Sequence, residues 1–459
     1  MSGATREGGG PPGRDREGRL AARLGRYARV SGTLAGQAAK LAATRLAGRR
    51  LDTVAHAREL KEVLGELRGP LVKVAQMLAT IPEALPEDYA AAFAELQSRA
   101  PPMGRPLVRR RMAAELGPDW RRHFDWFDET PAAAASLGQV HRARLRDGRE
   151  VACKLQYPDM QAAVEADLAQ LRLLLGVYRL TERAIDPRHV YEEVAARLRE
   201  ELDYRREARH MALYREMLAA EPRVRVPAPV FELTTRRLLV MEWLEGRPLL
   251  DFTDAPQAVR DDLAARLFRA WYRPFYDYGV VHGDPHPGNY TVAADGTLDL
   301  LDFGCVRIFP PAFVEGVIEL YRALATGDRE RARRAYRLWG FRELSDDLMD
   351  VLNDWAAYLY GPLMDDRPRL IDETGSIHHG REVVIRVRRR LAELGGVAPP
   401  REFVYMDRAA IGLGAVFLRL RARVNWHRIY LELIRDFDVE RLRRRQREAL
   451  ARHGLESPE

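Results

Sequence analysis

Residues 280–304, V-V-H-G-D-P-H-P-G-N-Y-T-V-A-A-D-G-T-L-D-L-L-D-F-G, place three polar side chains at fixed intervals: Asp284, Asn289 five residues on, and Asp302 eighteen residues after Asp284 within Asp-Phe-Gly. Those intervals suit phosphoryl transfer, in which one carboxylate serves the acceptor while an amide and a second carboxylate hold a divalent cation. Residues 290–293 and 297–301 read as two short strands around Asp295-Gly296, a strong hairpin signal. Such a hairpin folds Asp302 back towards Asn289. Two oxygen ligands on adjacent chain ends fit Mg²⁺, which takes few protein ligands and fills its shell with water and phosphate oxygens. Asp284 is then free to orient or deprotonate an acceptor.

At 459 residues and 46% hydrophobic, the chain has material for a large core and for two or three compact units. The longest apolar run near the C-terminus, 409–418, is interrupted by two glycines and falls far short of the ~20 residues that cross a bilayer. Residues 1–19 are polar and rich in Gly and Pro, with no apolar signal core, and read as a disordered tail. A cytoplasmic protein without a transmembrane helix is expected. Cys153 and Cys305, the only cysteines, agree with a reducing compartment. Of the 74 basic residues only Lys40, Lys61, Lys73 and Lys154 are lysine. A chain that favours arginine so heavily keeps lysine where a compact ammonium cannot be replaced by a planar guanidinium. The net charge of +7 permits peripheral contact with an anionic membrane. No zinc pattern or aromatic-basic strand signature is present, so nucleic acid is not expected.

Residues 20–99 carry apolar side chains at three- and four-residue spacing, broken at Gly69-Pro70; Pro70 suits the first turn of a new helix, on which Lys73 and Gln76 share a face. Beyond Pro101-Pro102 come strand signals. Ala132, Ala133, Ala134, Ala135 and Ser136 lead into a strand, Asp147-Gly148 turns it, and Val151-Ala-Cys-Lys154 lies on the next. Strand, turn and Val-Ala-x-Lys is the layout of a kinase small lobe, whose lysine holds the nucleotide phosphates. Four alanines occupy the place of the glycine-rich loop, where methyl groups restrict the approach of backbone N–H groups to phosphate. Residues 190–216, read as one helix, offer Glu201, Asp203 and Glu207 as partners of Lys154; on a continuous helix Glu207 points about 120° from Glu201, so one of the three can serve. Residues 237–244 read as a buried strand leading to a hinge, with backbone groups of Glu242 to Leu244 facing an adenine edge and Met241 behind it. After Gly304 a helix is expected almost at once, at 311–325, leaving no room for a peptide-docking segment. Helices are expected at 347–363, 382–394 and 401–424. His378 and His379 read as loop residues, and the arginine-rich tail, 435–453, as a solvated helix face.

Taken together, these residues resemble the UbiB family of atypical, protein-kinase-like proteins, also called aarF-domain kinases. The resemblance runs from about residue 60 to residue 425 and rests on Lys73-Val-Ala-Gln76, the alanine loop ending in Ser136, Glu201-Leu-Asp203, the loop from His282 to Asn289, and Asp302-Phe-Gly. Ala75 stands where the family usually has glycine. The resemblance implies an α+β, protein-kinase-like bilobal fold: an N-terminal helical extension at 20–129, a small lobe at 130–245, and a mostly helical large lobe with a C-terminal extension at 246–459. It also implies that Lys73 approaches Glu201 and Asp203 while Glu207 pairs with Lys154. The expected activity is that of an atypical kinase or ATPase using ATP and Mg²⁺, linked to quinone-lipid metabolism, with a small lipid-like or quinone-like partner. Asp284 is the expected base, Asn289 and Asp302 the metal ligands, and 132–136, Lys154, Glu242 and Leu244 the nucleotide contacts. Two alternatives stand beside it: a soluble phosphotransferase of the aminoglycoside and choline kinase type, and a non-catalytic nucleotide switch or scaffold.

Overall fold

The computed structural model describes residues 102–458 apart from Ser136, 182–186, 342–343, 375–382, 384–385, 388, 392 and 395–400. Lys73 and Gln76, most of the helical extension, Ser136 and the His378-His379 pair therefore lie outside the described residues.

Two units divide the chain. The first joins Met1–Pro101 to Asp159–Arg199. Its described part is helix α2 (Met160–Thr181) and nearly all of α3 (Pro187–Glu200), following α1 (Arg105–Leu116) of the other unit. Within it Arg199 pairs with Glu165 at 2.7 Å and the Arg172 guanidinium lies over the Tyr191 ring.

The second unit, Pro102–Pro158 with Glu200–Glu459, begins with a five-stranded antiparallel sheet. Strands β1 (Phe124–Phe127), β3 (Gly138–Leu145) and β4 (Glu150–Gln156) run side by side; β2 (Ala133–Ala135) pairs with β3, β5 (Val224–Arg225) joins a later sheet, and β6 (Leu238–Glu242) closes on β4. Successive side chains of a strand face opposite sides. Val151, Cys153 and Leu155 accordingly enter one core with Val108, Trp120, Phe124 and Val240, while Ala152 enters the other. Lys154 shares the parity of Ala152, so β4 delivers its ammonium to the face away from the first core.

The Asp147-Gly148 turn forms as expected, whereas the alanines read as a loop leading into a strand are partly a strand themselves, with Ala133, Ala134 and Ala135 opposite Val140, Gln139 and Gly138. Close strand packing demands glycine at 138, since a Cβ there would meet the Leu155 carbonyl oxygen at 2.2 Å. Gly138→Ala is expected to cost about 3 kcal/mol through this overpacking, read from urea unfolding.

The expected continuous helix at 190–216 is instead broken. Helix α4 (Tyr204–Met217) starts afresh because the Asp203 carboxylate accepts from the backbone N–H groups of Arg205 and Arg206 at 3.1 and 3.3 Å, an N-cap that ends one helix and starts the next. Tyr204, Glu207, Ala208, Met211 and Tyr214 then form its buried stripe.

The rest of the unit is built on α5 (Gln257–Tyr278), preceded by β7 (Arg247–Pro248) and ended by Gly279 in the left-handed conformation, φ 66°. That cap turns the chain into β8 (Val280–His282). Strands β9 (Tyr290–Val292) and β10 (Leu298–Leu300) form the expected hairpin, in a sheet ordered β5-β10-β9-β7. The short β11 (Val306–Ile308), which sequence reading did not anticipate, pairs with β8. Helix α6 (Pro311–Thr326) follows directly, then α7 (Arg329–Leu338), α8 (Asp346–Tyr360), α9 (Arg401–Leu420), α10 (Trp426–Ile434) and α11 (Val439–Arg452). Helix α9 stops at Leu420, four residues before its expected end: Arg421 has φ 49°, and Val424 pairs with Arg369. The tail is also more than a solvated face. Leu442, Gln446, Ala449 and Leu450 of α11 are buried, and Gln446 Nε2 donates to the carbonyl oxygens of Tyr278 and Phe309, both at 2.8 Å.

Candidate active site

Glu207 lies on the apolar stripe of α4, where an unpaired carboxylate would be costly. Its partner is Lys154, whose Nζ donates to Glu207 Oε1 at 2.7 Å and to Asp302 Oδ2 at 3.0 Å. The choice that spacing left open among Glu201, Asp203 and Glu207 thus falls on Glu207, as the family resemblance implied. Asp203 is the helix cap, and Glu201 sits in the turn before it. The face of the Tyr204 ring stands 5.2 Å from Lys154 Nζ and adds a cation–π contact.

Burial opposes the charge on Lys154, but the carboxylates of Asp302 and Glu207 outweigh it and hold the lysine well above its ordinary value. Burial likewise opposes charge on Asp302; the ammonium of Lys154 and the Gly304 N–H, 3.0 Å from Asp302 Oδ1, reverse this and keep it below the usual carboxylate range. Burial raises Glu207 against the pull of Lys154. The Asp302 side chain is 38% exposed against 3% for Glu207, so Asp302 is the member open to a ligand.

The expected approach of Asp302 to Asn289 is carried by the backbone. Leu301 N–H donates to the Asn289 carbonyl at 3.0 Å, and Leu300 pairs with Tyr290 across the hairpin. The Asn289 amide nitrogen donates to the Asp284 carbonyl at 3.2 Å, leaving its amide oxygen as the ligand end. One residue that sequence reading left without a role ties the two aspartates together. His282 is buried, its Nε2–H donates to the Asp302 carbonyl oxygen, and its Nδ1 accepts the Asp284 N–H at 3.3 Å. The signal for it was present in His-Gly-Asp, where an aromatic ring with two polar ends occupies a strand between two functional loops. Gly283 allows β8 and the segment after Gly304 to touch, for a Cβ there would meet Cys305 Sγ at 2.7 Å.

The donor set fits Mg-ATP: a charged lysine for phosphate, one exposed carboxylate and one amide oxygen for a hard cation, and no larger cluster of His, Cys, Asp or Glu suited to a metal among the described residues. The nucleotide contacts expected at the hinge are narrowed. Glu242 N–H donates to Ala228 O and Trp243 N–H to Glu150 O, both within the fold, so Leu244 is the candidate backbone donor. In the alanine loop, Ala132 N–H is similarly taken by Val140 O, while Ala133 and Ala134 are exposed.

His210, buried on α4, donates from Nδ1 to the Phe303 carbonyl at 3.3 Å. Burial, aided by Arg206, pushes it down to about 3. A histidine whose folded value lies below its unfolded one contributes stability that is full above about pH 6.5 and is lost as pH falls through it. Between pH 7 and pH 5 the wild type is expected to lose about 2 kcal/mol more than His210→Gln, measured by urea unfolding at each pH.

The ABC1 atypical kinase-like domain model matches residues 95–336, just over half of the chain. The mitochondrial atypical kinase COQ8B of Rattus norvegicus is 34% identical over 61% of this chain, which spans 53% of that protein's length. AarF domain-containing protein kinase 1 of Gallus gallus is 28% identical, covering 82% of this chain and 78% of its own. Among solved structures, the complex of Rv3197 with erythromycin from Mycobacterium tuberculosis is similar with a TM-score of 0.58 and 29% identity, over 82% of this chain and 95% of that one. These matches agree with the lysine, glutamate and aspartate brought together here in an α+β, kinase-like bilobal fold, and the chain belongs to the ABC1 atypical kinase-like family, the UbiB or aarF-domain kinases.

Proposed function

We propose that this protein is an atypical kinase or ATPase that binds Mg-ATP and either hydrolyses it or passes the γ-phosphate to a small or lipid-like acceptor, in support of isoprenoid quinone metabolism. The observation that carries this reading is the contact of Lys154 with both Glu207 and Asp302, at 2.7 and 3.0 Å. Mg²⁺, when bound, would supply positive charge against the phosphate oxygens. Lys154 Nζ supplies the fixed positive charge for the nucleotide phosphates, and Glu207 holds that ammonium in place. The Asp302 carboxylate and the Asn289 amide oxygen would hold the cation. An Asp284 carboxylate oxygen accepts the proton of water or of an acceptor hydroxyl, and His282 keeps the two aspartate loops in register. Only six residues separate Gly304 from helix α6 at Pro311, which leaves little space for a peptide-docking segment and favours a small acceptor. The similar mycobacterial protein forms a complex with erythromycin, a small molecule, which supports the same preference. Among the described residues no helix is long and apolar enough to cross a membrane, so contact with a lipid acceptor would be made from the surface.

The test follows γ-labelled phosphate from Mg-ATP incubated with the full chain, with and without anionic liposomes, beside Asp302→Asn and Asp284→Asn. Label moving to water or to an extractable small molecule, and lost in both variants, supports the proposal and identifies the acceptor class. Nucleotide binding with no movement of label under any condition replaces it with the switch reading.

A further inference from the structure

A cavity of about 420 Å³ lies away from the phosphoryl-transfer residues, among α5, the end of α8, residues 361–374 and α9. Its size falls within the range of small-molecule sites. Phe268 and Tyr272 of α5 and Phe417 and Leu418 of α9 give it an apolar wall. Ile411, on the same wall, is 40% exposed, which is unusual for a large aliphatic side chain beside a core.

Two glycines of α9 bear on this cavity differently. Glycine inside a helix costs about 1 kcal/mol relative to alanine and needs an offsetting reason. At Gly412 the reason is packing, because a Cβ would meet Pro285 Cγ at 2.4 Å. At Gly414 the described residues supply no such reason: none of them stands within 4 Å of a Cβ placed there, and the residue lines the cavity. The missing side chain keeps volume open.

The cavity has one polar end with a definite charge preference. Asp372 accepts from Thr374 N–H at 2.9 Å, from the Thr374 hydroxyl at 2.6 Å and from the Tyr358 hydroxyl at 3.3 Å. These donors are all neutral, and among the described residues no cation pairs with Asp372. The neighbouring Arg369 is held by Asp365 and Glu373, at 2.9 and 3.5 Å.

We propose that this cavity is a second ligand site, which takes an amphipathic amine: an aliphatic or aromatic body against α5 and α9, with a protonated nitrogen at Asp372. An apolar body gains from leaving water in proportion to the area it buries, and a protonated nitrogen adds to the neutral donors at Asp372 a hydrogen bond in which both partners carry charge. The site is independent of the phosphoryl-transfer reading.

The probes are n-octylamine, n-octanol and n-octanoate, which share a chain and differ in the head, titrated by calorimetry into the full-length protein at pH 7. Octylamine is expected to bind most tightly, octanol about tenfold more weakly, and octanoate not measurably. Gly414→Leu fills the space and is expected to weaken octylamine at least about tenfold while raising the melting temperature of the free protein, since it also improves helix propensity. Asp372→Asn keeps an acceptor for Thr374 and is expected to bring octylamine and octanol to within about threefold of each other. Undiminished octylamine binding by Gly414→Leu, octanoate binding equal to octylamine, or no binding of any probe would each overturn the proposal.

Discussion

Lys154→Met is expected to destabilise the protein by about 3–5 kcal/mol and to abolish productive nucleotide binding, because it removes one partner of a buried ion pair and leaves the other behind. Lys154 and Glu207 are 8% and 3% exposed, so water cannot take the place of the lost ammonium. Adding Glu207→Gln removes the orphaned charge, and the double variant should recover most of the stability while remaining inactive. That separation identifies the lysine as a phosphate ligand and not only a structural one. The stability loss should also depend on pH. Burial already raises Glu207, and without Lys154 nothing draws it back. A carboxyl whose folded value is raised contributes stability at low pH that disappears as pH rises through that value. Asp302, lowered by Lys154 in the wild type, contributes in the opposite sense, losing its stabilisation as pH falls. The Glu207 effect narrows the gap between wild type and Lys154→Met as pH is lowered from 8 to 5, whereas the Asp302 effect sets in only below the ordinary carboxylate range; urea unfolding at several pH values would measure the change. A gap that widens towards low pH would contradict this account.

Asp302→Asn is expected to reduce Mg-ATP turnover by about a thousandfold or more with a stability change within about 1 kcal/mol. The small stability cost follows from geometry: the side chain is 38% exposed, Lys154 retains Glu207, and an asparagine oxygen can still accept the Gly304 N–H. The large kinetic cost follows from chemistry, since an amide is a much poorer ligand for a hard divalent cation than a carboxylate. Titrating Mg²⁺ at fixed ATP should raise the half-saturating concentration in the variant. Turnover within tenfold of wild type at saturating Mg²⁺ would remove Asp302 from the metal site. Lys154→Met and Asp302→Asn therefore fail differently, one by losing the fold's buried pair and the other by losing the cation.

The local elements of the site were legible because each is written in short-range chemistry. Asp295-Gly296 and Asp147-Gly148 specify their turns through the positive φ that Gly296 and Gly148 adopt, 81° and 89°. The alternation of β4 places Lys154 opposite Val151, Cys153 and Leu155. Spacing alone could not choose among Glu201, Asp203 and Glu207. That choice depended on a helix break in which Asp203 uses its carboxylate on the backbone, and on which face of α4 becomes buried. The same limit explains the tail. Its arginines are compatible with a fully solvated helix, and only Tyr278 and Phe309, more than a hundred residues away in sequence, reveal that Gln446 is needed as a buried donor.

What the sequence by itself determined was the order of the polar groups along the chain: a lysine on a strand, the Asp284 carboxylate after a second strand, and an amide and a carboxylate on either side of a hairpin. Turns, strand parity and helix caps depend on neighbours a few residues apart, and those are readable. The tertiary structure made the pairing of Glu207 with Lys154, which the family resemblance implied and spacing could not choose, and it alone decided that His282 joins the two aspartate loops, that β11 pairs with β8, and that Gly414 faces open volume among the described residues. Each of those depends on contacts between segments distant in sequence, where burial makes an unpaired charge or an orphaned donor too costly to leave unmatched.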